Sequence, residues 1–374
     1  MVGLRGVPAT WGGVERHVEE IGARLVARGH EVTVFCRPGY CDSGGGLHRG
    51  MRTRTLATVE GRGVEALVHS ANAALRTLGR RYDVVHFHAV GPGLAAPLPR
   101  MLSNAAVVQT IHGLDADREK WSGFGRAALR VGTWMSARVP DVTVTVSRAL
   151  QDHYREIYGR DTVYVPNGAL PGRRVDARHL RERFGLEPGG YLLYVGRLVP
   201  EKAADVLLEA YAGLEGDVRL VVAGDSSHTD DFAAHVRALA ARDPRVVLPG
   251  YVHGDDLAAL YTHARSFVLP SRLEGLPLTL LEAAGYELPL VVSSIPPHLE
   301  VVGGADRPGV RIARPASVGD LRDALARSLA GGDAERVSAA ANAARVLEHY
   351  DWDRAASLLE EVYLAAAPST RVLT

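Results

Sequence analysis

Glu274 and Glu282 stand either side of Gly275-Leu276-Pro277-Leu278 in the 374-residue chain. Val268 and Leu269 close an apolar run, Ser271 to Gly275 read as a loop, and Pro277 sits where a helix tolerates proline best, in its first turn. The N–H groups from Gly275 to Leu278 would then face out of a helix N-terminus, an arrangement suited to an anion. At about 1.5 Å rise per residue the two carboxylates fall roughly 10–12 Å apart. That is the length of a sugar–diphosphate–ribose unit. A carboxylate beside a diphosphate is repelled unless it accepts hydrogen bonds, and sugar hydroxyls at both ends supply them. The stretch reads as a clamp for a nucleotide sugar.

The cations such a clamp needs are candidates in Gly196-Arg197-Leu198-Val199-Pro200-Glu201-Lys202, between a strand and a helix. Arginine offers a planar fork to phosphate oxygens and lysine a compact charge. The plainer alternative is two solvated loop charges. Histidines close two other strands, His86 and His88 in one and His112, before Gly113, in the next. His86 and His88 share a face because strand side chains alternate. As a metal pair they lack an evident third ligand, so a hydrogen-bonding or core role is expected. His112 is better placed to touch substrate. Gly12-Gly13 before a helix can admit a phosphate or an acceptor closely. The glycine spacing at Gly3 and Gly6 is not the dinucleotide fingerprint, and neither a P-loop nor a serine elbow occurs.

The elements that must position these residues alternate. An amphipathic helix over residues 14–28 carries Val18, Ile21, Leu25 and Val26 on one face and stops at Gly29. Strands follow at 31–36, 83–88, 106–111 and 142–146, with a weaker one near 51–56 and a helix at 64–78; residues 1–4 form at most a short strand. After Val165-Pro166-Asn167-Gly168 a second round has strands at 191–195, 218–223, 246–248, 266–269 and 290–293. Helices at 203–213, 229–242, 255–263 and 277–286 lie between them. The expected fold is α/β, two doubly wound Rossmann-like domains facing a central cleft. The expected bounds are 1–168 for an acceptor-side domain, 169–348 for a nucleotide-sugar domain, and 349–374 for a C-terminal crossover helix packing back on the first.

Composition narrows the class further. Apolar residues make up 47% and charged residues 23%, ordinary for a globular protein. The net charge of zero conceals an asymmetry: residues 1–168 carry six more basic than acidic residues, and the remainder the reverse. The basic half can meet an anionic substrate or lipid headgroups. Of the 43 basic residues all but Lys120 and Lys202 are arginine. Cys36 and Cys41 are too few for a disulfide framework, and without a second pair they do not read as a zinc site. With no basic-then-apolar leader and no apolar run of membrane-spanning length, a cytoplasmic location is expected. A stretch in which Arg118, Lys120, Arg126, Arg130 and Arg138 interleave with Trp121, Phe124 and Trp134 is a candidate for peripheral contact with an anionic membrane. The alternative packs those aromatics into the first domain.

Taken together these stretches resemble glycosyltransferase family 4, retaining enzymes of the GT-B fold. Glu274 and Glu282 match its E-x7-E motif, Arg197 and Lys202 its phosphate-binding pair, and Val165 to Gly168 its interdomain boundary. Trp352 lies in a typical crossover, and the start looks most like a bacterial rhamnosyltransferase-like subgroup. The resemblance implies transfer of a sugar from a UDP-, GDP- or TDP-sugar to an acceptor hydroxyl, in polysaccharide, glycolipid or natural-product glycoside assembly. It implies that Gly12, Gly13, Gly196, Arg197, Lys202, Asp225, Tyr251, Val252, Glu274, Gly275, Leu276, Pro277, Leu278 and Glu282 bind the donor. Glu282 would hold the ribose and Glu274 lie at the reacting centre, with His112, Arg197 and Lys202 also in catalytic roles. No metal, no cofactor and no nucleic acid is implied. Ala203 and Glu287 depart from the family, standing where glycine is common. The alternatives are a sugar-nucleotide epimerase of the same fold and a catalytically silent nucleotide-sugar-binding protein.

Overall fold

A computed structural model describes residues 1–9, 12–41, 46–59, 61, 64–114, 123–226 and 230–367. The chain divides into two units, Met1–Asn167 with Trp352–Thr374, and Gly168–Asp351. These bounds lie one and three residues from the sequence-based ones.

The first unit opens with α1 (Gly13–Ala27), β1 (Thr33–Cys36), β2 (Leu47–His48), β3 (Met51–Thr55) and α2 (Val64–Leu78). It continues with β4 (Val84–His88), α3 (Val90–Gly93), α4 (Pro97–Leu102) and β5 (Ala106–Ile111). α5 (Gly123–Ser136), β6 (Val142–Thr145), α6 (Arg148–Tyr158) and β7 (Val163–Tyr164) complete the alternation. β1 pairs with β3, and β4, β5, β6 and β7 pair in that order, all parallel; among the described residues of this unit only β2 against β3 is antiparallel.

The opening residues do not make a strand. Val2 forms a single bridge to Phe87, donating to His86 O at 2.8 Å and accepting from His88 N at 2.9 Å. On its other side Met1 accepts from Phe35 N and its amine donates to Thr33 O at 2.9 Å. This short link joins β1 to β4, so β3, β1, the link, β4, β5, β6 and β7 lie in one order that reverses at the link. Gly3 must be glycine there: its φ is +104°, and a Cβ would come within 2.6 Å of His88 O.

The second unit contains α7 (Ala177–Phe184), β8 (Tyr191–Val195), α8 (Ala204–Ala212), β9 (Arg219–Ala223), α9 (Asp230–Ala240) and β10 (Val246–Gly250). Then come α10 (Gly254–His263), β11 (Ser266–Leu269), α11 (Leu278–Gly285), β12 (Leu290–Ser293) and α12 (Pro296–Val302). β13 (Val310–Ala313), α13 (Val318–Ala330) and α14 (Gly332–His349) end it. Its sheet is parallel in the order β10-β9-β8-β11-β12-β13. Chain direction of winding reverses between β8 and β11, which is where a doubly wound sheet opens a ligand crevice beyond its strand ends. The central strands are largely apolar, as burial on both faces requires: Leu192, Leu193, Val221, Val222, Phe267, Val268, Val291 and Val292 are all 0% exposed.

The last helix, α15 (Trp352–Ala366), belongs to the first unit and starts three residues after the expected crossover boundary at 349. Leu359 and Trp352 are buried, and Arg28 and His30 both engage Glu360, at 2.8 and 2.7 Å. Tyr363 packs its hydroxyl 2.5 Å from His86 Nδ1. Each large apolar side chain buried here contributes on the order of 1.5–3 kcal/mol, more than the partly exposed ion pairs, which are worth about 0–1 kcal/mol each. Among the described residues no helix is long and apolar enough to cross a membrane.

Candidate active site

In the second unit the loops after β8 and β11 meet at the reversal. Lys202 Nζ lies 2.5 Å from Glu274 Oε1, with the two side chains only 14% and 9% exposed. Ser271 Oγ donates to the same oxygen at 2.7 Å. Burial alone would push the Glu274 carboxyl up. The Lys202 ammonium, His298 and the hydrogen bonds from Lys202 and Ser271 outweigh it, leaving the group below the usual carboxylate range. The neighbouring His298 is held at about 4 by burial, against the pull of Glu274. Its Nδ1 faces Ser293 O and Oγ, at 3.1 and 3.0 Å, while its buried Nε2 has no hydrogen-bond partner.

The N-cap of α11 is Pro277 (φ −75°, ψ 111°), so the proline precedes the first turn instead of occupying it. The effect on the backbone is the one proline is suited to: the first N–H groups of the helix face outward, and proline contributes none to be left unpaired. Gly275, Leu276 and Pro277 are buried and Leu278 is half-buried. One turn on, Glu282 Oε2 accepts from the buried Tyr261 hydroxyl at 3.3 Å, and Tyr261 stacks on Tyr286 with centroids 5.1 Å apart. Two elements therefore aim the two glutamates, the β8 loop for Glu274 and α10 for Glu282.

Gly196 and Arg197 follow β8 directly and are half-buried. The Arg197 carbonyl accepts from Tyr194 OH at 3.2 Å. Gly224, after β9, has a φ of +148°, and a Cβ on it would lie 1.9 Å from Gly196 O, so the two loops touch backbone to backbone. Asp225 turns aside: its Oδ1 accepts from Ser226 N and from Arg237, both at 2.7 Å. Tyr251 is 38% exposed after β10, and Val252 is buried. Of the donor residues expected in this unit, Lys202 and Glu274 are thus in direct contact. Arg197 and Glu282 lie on the neighbouring strand end and helix, and Asp225 is engaged elsewhere.

The first unit holds Gly12, Gly13 and His112. Gly12 caps α1 in extended conformation, and both glycines are exposed. His112, half-buried, follows β5, with its Nε2 3.2 Å from His88 Nδ1. The pairing expected of the histidines changes here. His86 spends both ring nitrogens on Tyr363 OH and Thr110 Oγ1, at 2.5 and 2.7 Å, so it is a core residue. The third ring beside His88 and His112 is His17 of α1, and one nitrogen from each of the three lies within 4.8 Å of the others. His17 Nδ1 donates to Asn167 Oδ1 at 2.8 Å. Burial drives its pKa down to about 4, and that of His88 well below the ordinary value.

Sequence reasoning missed His17, His298 and Tyr261. A Pro-Pro-His start to α12 and a tyrosine in α10 carry no spacing rule that links them to residues far along the chain. Asp-x-Asp spacings occur at 115–117 and 351–353; the first is outside the described residues, and Asp353 of the second is taken by Arg24 at 3.0 Å. Of the basic aromatic stretch, residues 118–121 and the side chains of Phe124 and Arg126 also lie outside. Trp134, on α5, is 55% exposed and is not packed into the unit. Thr10 and Trp11, in the loop before Gly12, are likewise outside.

Comparison with known proteins follows the same division. Residues 11–171 match the family described as Glycosyltransferase Family 4, and residues 177–346 match Glycosyl transferases group 1. Glycogen synthase of Mycobacterium tuberculosis is 30% identical over 408 aligned positions, covering 99% of this chain and 95% of that protein. D-inositol 3-phosphate glycosyltransferase of Kineococcus radiotolerans is 28% identical, covering 95% and 91%. Among solved structures, sucrose-phosphate synthase from Thermosynechococcus elongatus superposes with a TM-score of 0.84 at 22% identity, covering 97% of each chain. Anabaena HepE in complex with UDP-glucose superposes with a TM-score of 0.79 at 16% identity, covering 95% and 96%. Two parallel-sheet Rossmann-like units, matching family descriptions over most of the chain and near full-length relatives lead to one conclusion: this chain belongs to the glycosyltransferases of family 4, with the GT-B fold.

Proposed function

We propose that the second unit binds a nucleoside diphosphate sugar across the β8/β11 strand ends and that the sugar passes to an acceptor hydroxyl with retention at the anomeric carbon. The observation that carries this reading is the buried Lys202–Glu274 contact at the point where the sheet reverses. As the glycosidic bond breaks, negative charge grows on the departing diphosphate. Lys202, Arg197 and the outward N–H groups of α11 supply positive charge at the strand ends where it grows, and such charge favours the transition state. A diphosphate reaching Lys202 draws the ammonium from Glu274, freeing that carboxylate to accept from sugar hydroxyls at the reacting centre.

Glu282, steadied by Tyr261, accepts from the ribose hydroxyls. Tyr251 and Val252 border the base, and Gly196 and Gly275 to Leu278 line the phosphates. In the first unit Gly12 and Gly13 leave room for a phosphate or acceptor, and His112 meets the sugar or acceptor. Asp225, held by Arg237, has at most a secondary part in donor binding. With two cations at the leaving group the transfer needs no metal ion. The UDP-glucose bound by the Anabaena protein and the names of the glycosyltransferase relatives support the donor class, not the particular base or sugar.

The test is a thermal-shift panel of UDP, GDP, TDP and ADP with their sugars, since a ligand of the folded state raises the midpoint with its occupancy. One nucleotide should raise the midpoint by several degrees, and its sugar should be lost to water or to an acceptor. No shift with any of the four sinks the reading. Isomerisation of the sugar without transfer points to an epimerase, and binding with no turnover across a wide acceptor panel points to a silent binding protein.

A further inference from the structure

In the first unit three imidazoles from three elements converge: His17 from α1, His88 from the end of β4 and His112 just beyond β5. One nitrogen of each lies within 4.8 Å of the other two. His17 and His88 are 1% and 0% exposed, and His112 is half-buried. Rings could gather in this way merely to fill space, edge to face. The orientation of their nitrogens argues for more.

Asn167 Oδ1 can only accept, so His17 carries its proton on Nδ1 and its Nε2 is a bare lone pair. That Nε2 is buried and has no hydrogen-bond partner, a state that costs roughly 1–3 kcal/mol unless something else satisfies it. His88 turns Nε2 toward the Met1 thioether at 3.4 Å, which leaves Nδ1 facing His112 Nε2 at 3.2 Å. A tetrahedral ion at about 2.0–2.1 Å from each nitrogen places its ligand atoms ~3.4 Å apart. The His88–His112 pair is already close to that separation at 3.2 Å, and with all three nitrogens within 4.8 Å of one another no gap needs to close by more than about 1.4 Å. Its Nδ1–H···Oδ1 bond to Asn167 is the type of outer contact that fixes the tautomer and aim of metal-bound histidines.

We propose that His17, His88 and His112 form a binding site for one Zn²⁺-class transition-metal ion in the first unit. Three neutral imidazoles without a carboxylate or thiolate select borderline ions over Mg²⁺ or Ca²⁺. The half-exposed side at His112 leaves a fourth position for water or a substrate hydroxyl. This site stands apart from the diphosphate chemistry assigned to Arg197 and Lys202, and binding to it is measurable without any nucleotide sugar.

The experiment is a Co²⁺ titration of the full chain after removal of metal with a chelator. The expected result is a visible d–d absorption band that saturates at one ion per chain and is bleached by one equivalent of Zn²⁺. His112→Ala, at a half-exposed strand end, should abolish the band while retaining the wild-type circular dichroism spectrum. Should that variant fold poorly, His17→Asn supplies the same comparison, and the Zn²⁺-induced rise in the wild-type melting midpoint is a second readout. No saturable band, or an equal band or midpoint rise in both variants, overturns the proposal.

Discussion

Lys202 and Glu274, 72 residues apart in sequence, meet at 2.5 Å between two strand ends, nearly closed off from solvent. Removing one partner of such a pair leaves an uncompensated buried charge, typically at a cost of about 3–5 kcal/mol. Lys202→Ala should therefore destabilise the protein by an amount in that range. Adding Glu274→Gln to it should restore a substantial part. Urea unfolding of the single and double variants checks this: a double variant no more stable than Lys202→Ala contradicts the pairing.

The two departures from family glycines fall on left-handed backbone. Ala203 has φ 53° and ψ 40°, and Glu287 has φ 61°. Glu287→Gly should stabilise by about 0.5–1 kcal/mol, because its ion pair with Arg174 is about half exposed and worth little. Ala203→Gly should change stability far less, since its methyl is fully buried and its lost packing offsets the relieved strain. Melting midpoints of the two variants separate these outcomes.

His298 gives the second unit an acid limit. Its pKa is about 4 when folded, against roughly 6.5 when unfolded. Between those values the unfolded chain takes up a proton that the folded chain refuses. The contribution is whole above pH 6.5 and falls as pH drops toward 4, by up to about 3 kcal/mol. His298→Asn should flatten that part of the stability–pH curve, which chemical denaturation at half-unit intervals will show. The depressed Glu274 adds a further loss only at lower pH, as its own folded-state pKa is approached from above.

The Tyr261 hydroxyl faces Glu282 Oε2 at 3.3 Å and Thr279 O at 3.4 Å, and so helps to orient Glu282. Tyr261→Phe should weaken nucleotide binding by roughly 3–10-fold, in line with a net hydrogen-bond worth of about 0.5–1.5 kcal/mol. Calorimetric titration with the nucleotide chosen by the thermal-shift panel measures it, and unchanged affinity would remove Tyr261 from this role.

Much of the candidate site was legible in the sequence because its residues sit at or just beyond strand ends. The Glu274–Glu282 stretch announced itself by its proline and its spacing, and Gly196-Arg197 by following an apolar run. The alternation of strands and helices gave both Rossmann-like units, although no bounds were assigned to α3, α4, α5, α6, α7, α12, α13 and α14 or to β2, β7 and β13, and residues 1–4 form one bridge. What stayed hidden depends on three-dimensional convergence. His17 lies 71 residues before His88 and on a helix, so no local spacing joins them. Ala203 and Glu287 were visible as unusual residues, but only the backbone angles show what glycine would relieve there. His86 and His88 share a strand face, yet Tyr363 and Thr110 claim one while the other turns to His17 and His112.

The central claim gives the two glutamates different work. Its most direct test is a steady-state comparison of Glu282→Ala with Glu274→Gln, using the donor found in the thermal-shift panel and following release of its nucleoside diphosphate. Glu282→Ala should raise the donor dissociation constant about 10–100-fold, the range for losing charge-assisted hydrogen bonds of roughly 1.5–3 kcal/mol. Glu274→Gln should bind donor within about threefold of wild type and lose at least roughly 100-fold in turnover, the effect of removing a group that acts in the transition state. Equal and negligible effects of the two substitutions would contradict the account.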